Sequence, residues 1–147
     1  MSARYFLDTN IFVYCFDRVD RRKQRCAEVL VGTALEDHLG IISSQVLQEF
    51  LNVATRKFTR TMTPGECRAY MDTVLSPLCE VFPSFALYEQ ALSVHSDTGF
   101  SFYDSLIVAA ALEGQCRWLY SEDLQAGRKI RGLTILNPFT QEQQADR

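Results

Sequence analysis

The sequence is poor in the residues that build most metal centres and disulfide frameworks. It has only two histidines, His38 and His95, and its five cysteines (Cys15, Cys26, Cys67, Cys79, Cys116) are scattered without a Cys-x-x-Cys pair. That spacing suits neither a zinc site nor a disulfide framework. Free thiols in a reducing cytosol fit it better. Long apolar runs are missing too: nothing approaches the roughly 20 residues that cross a bilayer. The opening MSARYFLDTN lacks the pattern of a secretory signal. The expectation is therefore a cytoplasmic protein with no membrane partner. A strong positive charge is also absent, since 15 basic residues against 18 acidic ones leave a net charge of −3. Nucleic-acid binders are usually basic overall. The basic residues do gather locally, in RRKQR at 21–25, at Arg56, Lys57 and Arg60, and at Arg128, Lys129 and Arg131. Each group reads equally as a solvated helix face, so charge neither selects nor excludes an RNA partner.

What is present suits a packed core. The chain has 147 residues, of which 47% are hydrophobic, enough for one domain without a structural metal. Residues 1–139 read as that domain and 140–147 as a polar tail. Arg4 to Leu7 reads as a first strand and Asn10 to Phe16 as a helix. Asp20 caps a second helix, with Cys26, Val29, Leu30 and Ala34 at helical spacing. LGIIS at 39–43 forms a second strand. Ser44 then starts a helix to about Lys57 that presents Val46, Leu47, Phe50 and Val53 on its apolar face. TPGE at 63–66 combines a Thr cap, a Pro in the first turn and a Glu three residues after the cap, and opens a helix to about Leu78. CEVF at 79–82 is a third strand. Helices begin at Ser84 and Ser101, and the latter, FYDSLIVAAALEG, stops at Gly114. WLYS at 118–121 and LTIL at 133–136 complete five strands. Short apolar strands alternating with helices indicate an α/β fold whose mostly parallel sheet is covered on both faces. Functional groups in such sheets gather beyond the carboxyl ends of the strands, where the strand order reverses.

Four acids fall where that rule applies. Asp8 follows the first strand directly, and Asp123 follows the fourth. Glu49 lies mid-helix, with Val46, Phe50 and Val53 at i−3, i+1 and i+4, so helical spacing turns it toward the apolar face. Asp104 lies in the first turn of its helix, before SLIVAAA, close to a buried surface. Each has a plainer reading: Asp8 as a helix cap, Asp104 as the partner of Ser101 in a capping box, Asp123 as a turn residue, Glu49 as half of a salt bridge. Taken together, four clustered carboxylates repel one another and need a cation. A hard divalent ion with oxygen ligands supplies it, and suits phosphodiester hydrolysis.

These motifs also resemble a known family. LDTN after the first strand, a helix carrying QEF, then YDSLIVAAA, then a strand leading to SEDL, resemble the PIN-domain ribonucleases. The ending GLTILNPF is similar to the bacterial VapC toxins in particular. The resemblance spans residues 4 to 139. It implies a PIN-like three-layer sandwich, with a mostly parallel sheet of about five strands flanked by helices and an acidic pocket holding Mg²⁺ or Mn²⁺. Carried over by motif, Asp8, Glu49 and Asp104 match the family's acidic trio and Asp123 its more variable fourth acid. Asp8 and Asp104 would be the principal metal ligands, with Glu49 and Asp123 acting directly or through water. Thr9, Asn10 and Ser121 would orient these carboxylates, Ser121 standing where the family often has Thr. Glu122 places a further carboxylate beside Asp123. The resemblance further implies an RNA substrate such as tRNA, a VapB-type antitoxin with a basic side chain near the acids, and a homodimer. Phe12, Tyr14, Phe16, Phe50 and Phe58 are candidates to line the antitoxin groove or to pack the core. The rivals fit less well. A haloacid-dehalogenase-type phosphatase wants Asp-x-Asp where this chain has Asp8-Thr9-Asn10, and a phospho-accepting receiver wants an acidic pair and a later Lys. A PIN scaffold without catalysis remains the alternative.

Overall fold

In the computed structural model, which describes residues 3–140, a six-stranded sheet runs in the order β3-β2-β1-β4-β6-β5. The strands are β1 (Tyr5–Leu7), β2 (Gly40–Ser43), β3 (Cys79–Val81), β4 (Trp118–Tyr120), β5 (Lys129–Ile130) and β6 (Leu133–Leu136). All neighbours are parallel except β5 and β6. The helices are α1 (Thr9–Tyr14), α2 (Arg21–Asp37), α3 (Ser44–Arg56), α4 (Pro64–Tyr70), α5 (Ser76–Leu78), α6 (Phe85–Thr98) and α7 (Phe102–Glu113). The order of the sheet reverses beside β1. Its successors β2 and β3 lie on one side, and β4 and β6 on the other. The crevice at the carboxyl ends of β1 and β4 is therefore the switch point of the sheet.

The central strands are apolar because both faces are covered. Phe6, Leu7, Ile41, Ile42, Leu119 and Ile135 are fully buried. The seven-residue run from Ser105 to Ala111 in α7 is buried all round, so that helix lies inside the protein. Gly40 brings α2 close to the sheet: a Cβ there would stand 2.5 Å from Ala34 Cβ and 2.7 Å from the Tyr5 ring.

Caps set most helix starts as the sequence indicates. Asp20 accepts from Lys23 N–H, and Ser84 from Leu87 N–H. Thr63 and Glu66 form a complete capping box. Other expectations are revised. The second helix buries Ala27, Leu30, Val31 and Ala34, whereas Val29 is 68% exposed. Ser43, not Ser44, is the cap position of α3, and its side chain makes no cap bond. The single helix expected to reach Leu78 is three consecutive pieces, with a π-helical turn at Met71–Leu75 between α4 and α5. Pro77 follows that turn and has no N–H to continue the ordinary ladder.

A sixth strand was not foreseen. Arg128, Lys129 and Arg131 lie on no helix: Lys129 pairs with Thr134 in a tight hairpin, and Arg131 and Gly132 form its turn with φ of 51° and 87°. Arg131 reaches α6 from there, bonding Asp97 (2.5 Å) and Ser93 (2.7 Å). All five cysteines are free, with Cys67 and Cys116 buried. Among the described residues no helix is long and apolar enough to cross a membrane. Apart from Thr140, the expected polar tail at 140–147 lies outside the described residues.

The close approach at Gly40 yields a test. Gly40→Ala forces a methyl group into the Ala34 and Tyr5 contact and should destabilise the fold by about 1–3 kcal/mol. Chemical denaturation measures it, and an unchanged midpoint would mean that α2 moves aside freely.

Candidate functional site

Asp8 is the residue on which the site is built. It follows β1, caps α1 and is 8% exposed. Its Oδ1 accepts the Thr9 N–H (2.7 Å) and its Oδ2 accepts the Ser121 hydroxyl (2.7 Å). Its own N–H donates to Tyr120 O at the end of β4. The sequence reading of Asp8 as a helix cap holds, and the same residue stands at the switch point of the sheet. Burial raises its pKa from an ordinary 3.8 to about 6. The two hydrogen bonds oppose that rise, and the charges of Glu49 and Asp123 add to it.

The neighbouring residues tie the other acids to this point. Thr9 Oγ1 donates to Glu49 Oε1 (2.6 Å), and Asn10 Nδ2 donates to Asp123 Oδ2 (3.0 Å). Ser121 Oγ is fully buried and accepts from the Asp123 N–H (3.2 Å) and the Leu124 N–H (3.4 Å) while donating to Asp8. One hydroxyl therefore fixes the carboxylate after β1 and the turn after β4. Glu49 is half-buried at the edge of the apolar face of α3, not within it. It forms no salt bridge among the described residues.

The ambiguity between Glu122 and Asp123 has a geometric answer. Glu122 takes the Lys23 ammonium at 2.5 Å and the Tyr14 hydroxyl at 2.5 Å, and its backbone N–H donates to Asn10 Oδ1 (3.3 Å). Its charge is spent within the protein, while Asp123 is exposed and faces Asn10. Sequence reading missed Lys23 as the partner because 99 residues separate the two. It also missed Gln45, whose Nε2 donates to Glu49 Oε2 (3.2 Å) and to Tyr103 O (3.2 Å). The i, i+4 spacing of Gln45 and Glu49 was the available signal.

Asp104 is placed differently from expectation. It is exposed, and its backbone N–H is capped by Ser101 Oγ (3.2 Å). Gln45 links its neighbour Tyr103 to Glu49, but the charges that act on Asp8 are those of Glu49 and Asp123. The aromatic candidates divide as well. Phe12 and Phe50 are fully buried core residues. Tyr14 packs on Phe139 and lies under Lys23. Phe16 is partly exposed and lies against Phe58 and Tyr70 at 5.4 and 5.2 Å between ring centroids.

The donors fit a hard divalent cation in kind. They are carboxylate oxygens, and none of the four ion pairs among the described residues (Arg4–Glu80, Lys23–Glu122, Arg60–Glu66, Arg131–Asp97) neutralises Asp8, Glu49, Asp104 or Asp123. Among the described residues no three acids stand close enough to coordinate one ion together. One or two carboxylates completed by water is the habit of Mg²⁺.

This arrangement, acids at the switch point of a parallel sheet held by hydroxyl and amide groups, defines an acidic-site α/β protein. A family model described as the PIN domain matches residues 5–130, and the chain belongs to that family. Solved structures share the fold. A toxin–antitoxin complex from Klebsiella pneumoniae is 20% identical, with 93% of this chain and 98% of that one covered and a TM-score of 0.63. VapBC2 from Rickettsia felis, bound to a promoter DNA fragment, is 19% identical over 89% and 96%, with a TM-score of 0.61. VapC20 from Mycobacterium tuberculosis, described as a sarcin-ricin loop cleaving toxin, is 20% identical over 81% and 91%, with a TM-score of 0.58.

Asp8 makes stability depend on pH. Its folded pKa is raised, so the folded state holds the proton more tightly than the unfolded chain. The associated stability is complete below about 3.8, falls as pH rises to about 6 and is flat above that. The loss amounts to about 3 kcal/mol. Metal-free melts from pH 4 to 7 should show this fall, Asp8→Asn should flatten it, and millimolar Mn²⁺ should restore stability at pH 7. A flat profile in the unaltered protein would contradict the burial of an ionised Asp8.

Proposed function

We propose that this chain is a metal-dependent endoribonuclease, the toxin of a VapBC-type toxin–antitoxin pair. The observation that carries the reading is the un-neutralised acidic network around the buried Asp8: Thr9 to Glu49, Ser121 to Asp8, Asn10 to Asp123. Asp8 and Asp104 would hold Mg²⁺ or Mn²⁺, with Glu49 and Asp123 acting through water. Such an ion, when bound, lowers the pKa of water and neutralises phosphate oxygens. Thr9 N–H and Ser121 keep the Asp8 carboxylate in one orientation. Glu49, held by Thr9 and Gln45, would orient the attacking water and accept its proton. Arg21 and Arg25 on α2, with Arg56 and Lys57 at the end of α3, offer exposed charge for the RNA backbone. Structured RNA is the substrate class we favour, supported by the description of VapC20 as a sarcin-ricin loop cleaving toxin; tRNA as an example of it rests on the family resemblance.

An antitoxin partner is supported by the complexes in which the fold relatives occur. Its groove would use Phe16 and Phe58, which keep accessible edges beside one another. A homodimer is supported by α6, which exposes Phe85 (89% exposed) and Leu92 seven residues apart on one face. The free thiols suit a cytoplasmic setting.

Asp8→Asn and Asp104→Asn should each lower Mg²⁺-dependent cleavage of a structured RNA by about 100-fold or more while the protein stays folded. Full activity in both variants would remove the assigned site. No cleavage by the unaltered protein with either metal would favour the non-catalytic scaffold. Phe85→Glu combined with Leu92→Glu should shift sedimentation toward the monomer, and an unchanged profile would move the dimer face elsewhere.

A further inference from the structure

Beside the acids lies a cavity of about 390 Å³ between the end of β2, the start of α3, and helices α6 and α7. That size falls within the range of small-molecule sites, about 300–1,000 Å³. Its lining includes Ser43, Gln45, Gln48, Tyr88, Phe102 and Tyr103. Two of these carry buried polar atoms without a hydrogen-bond partner among the described residues: Ser43 Oγ and Gln45 Oε1. The residues are only 2% and 8% exposed. Buried polar atoms are nearly always paired, and each orphan costs free energy.

The orientation of Gln45 is set by chemistry. Its amide nitrogen faces the Glu49 carboxylate and the Tyr103 carbonyl, both acceptors. A flipped amide would place oxygen against oxygen, so the carbonyl oxygen must take the other direction. Ser43 is likewise spared from local use. It occupies the cap position of α3 yet makes no cap bond, and the β2–β3 register shifts between Ile42 and Ser43. Such irregularities re-aim a side chain.

We propose that this cavity receives one unstacked base of the substrate RNA, next to the scissile phosphate. A base brings a ring N–H or amino donor for Gln45 Oε1 and an acceptor or donor for the Ser43 hydroxyl. Its flat face suits the aromatic wall, of which Tyr88 and Phe102 are partly exposed. Gln45 joins the two functions, since its other end positions Glu49. The base source rests on the ribonuclease reading above; the pocket itself does not.

Two assays separate these claims. A random-sequence RNA pool is cut by the unaltered protein, by Ser43→Ala and by Tyr88→Ala, and the product ends are sequenced. In parallel, RNA oligonucleotides varied at one position are bound in the presence of a chelator, so that the metal-dependent cleavage is suppressed. The expected result is a base preference at a single position beside the cut that both variants reduce by about tenfold, with the same base favoured in binding. If nothing is cut but Ser43→Ala abolishes a base preference in binding, the pocket stands and the ribonuclease reading falls. Base profiles that are the same in all three proteins, in both assays, overturn the pocket.

Discussion

A buried carboxylate is an unstable thing to place at the centre of a sheet, and the site takes its form from how Asp8 is accommodated. The chain leaves β1 at the switch point, where the nearest strand ends are those of β2 and β4. Asp8 itself is largely shielded from water, so its charge is held mainly by protein dipoles. The Thr9 N–H comes from the first turn of α1 and the Ser121 hydroxyl from the end of β4. These two bonds offset part of the desolvation, but the pKa still rises. The central charge is left under-compensated, and the carboxyl holds its proton more tightly than a free one.

The remaining acids are sorted by what neutralises them. Glu122 has its own ammonium and phenol and contributes structure. Among the described residues Asp123 and Glu49 have neutral donors, Asn10, Thr9 and Gln45, which orient a carboxylate without discharging it. Two adjacent residues, 122 and 123, thus serve opposite ends. Lys23 makes the difference, because it reaches one of them and not the other.

Much of this was legible in the sequence. Asp8 and Asp123 could be placed at one sheet edge because Asp8 follows an apolar strand directly and Asp123 lies in the turn just after another. Thr9, Asn10 and Ser121 could be named as orienting groups by motif, although which carboxylate each serves needed coordinates: Ser121 grips Asp8, not its neighbour Asp123. Glu49 was found by helical spacing, and the same argument overstated its burial because it sits one position off the Phe50 ridge. The burial expected around Asp104 was overstated because the run after it is buried while the first turn itself stays exposed. The hairpin of β5 was invisible because two residues carry no periodicity, and its turn uses Arg131 at positive φ where Asn or Gly is the usual signal. Lys23 and Gln45 depended on partners brought close only by folding.

The edges of the sheet carry a consequence of their own. A free strand edge is a row of unpaired backbone donors and acceptors that any extended chain can join. Here one edge is the three-residue β3, joined to its neighbour through an irregular register, and the other is the two-residue β5. Neither offers a long straight template. Strand addition is therefore a poor route for growth of the sheet by copies of this chain. Association is left to helix faces, whose side chains must match in shape, and such matching favours closed assemblies over open-ended ones.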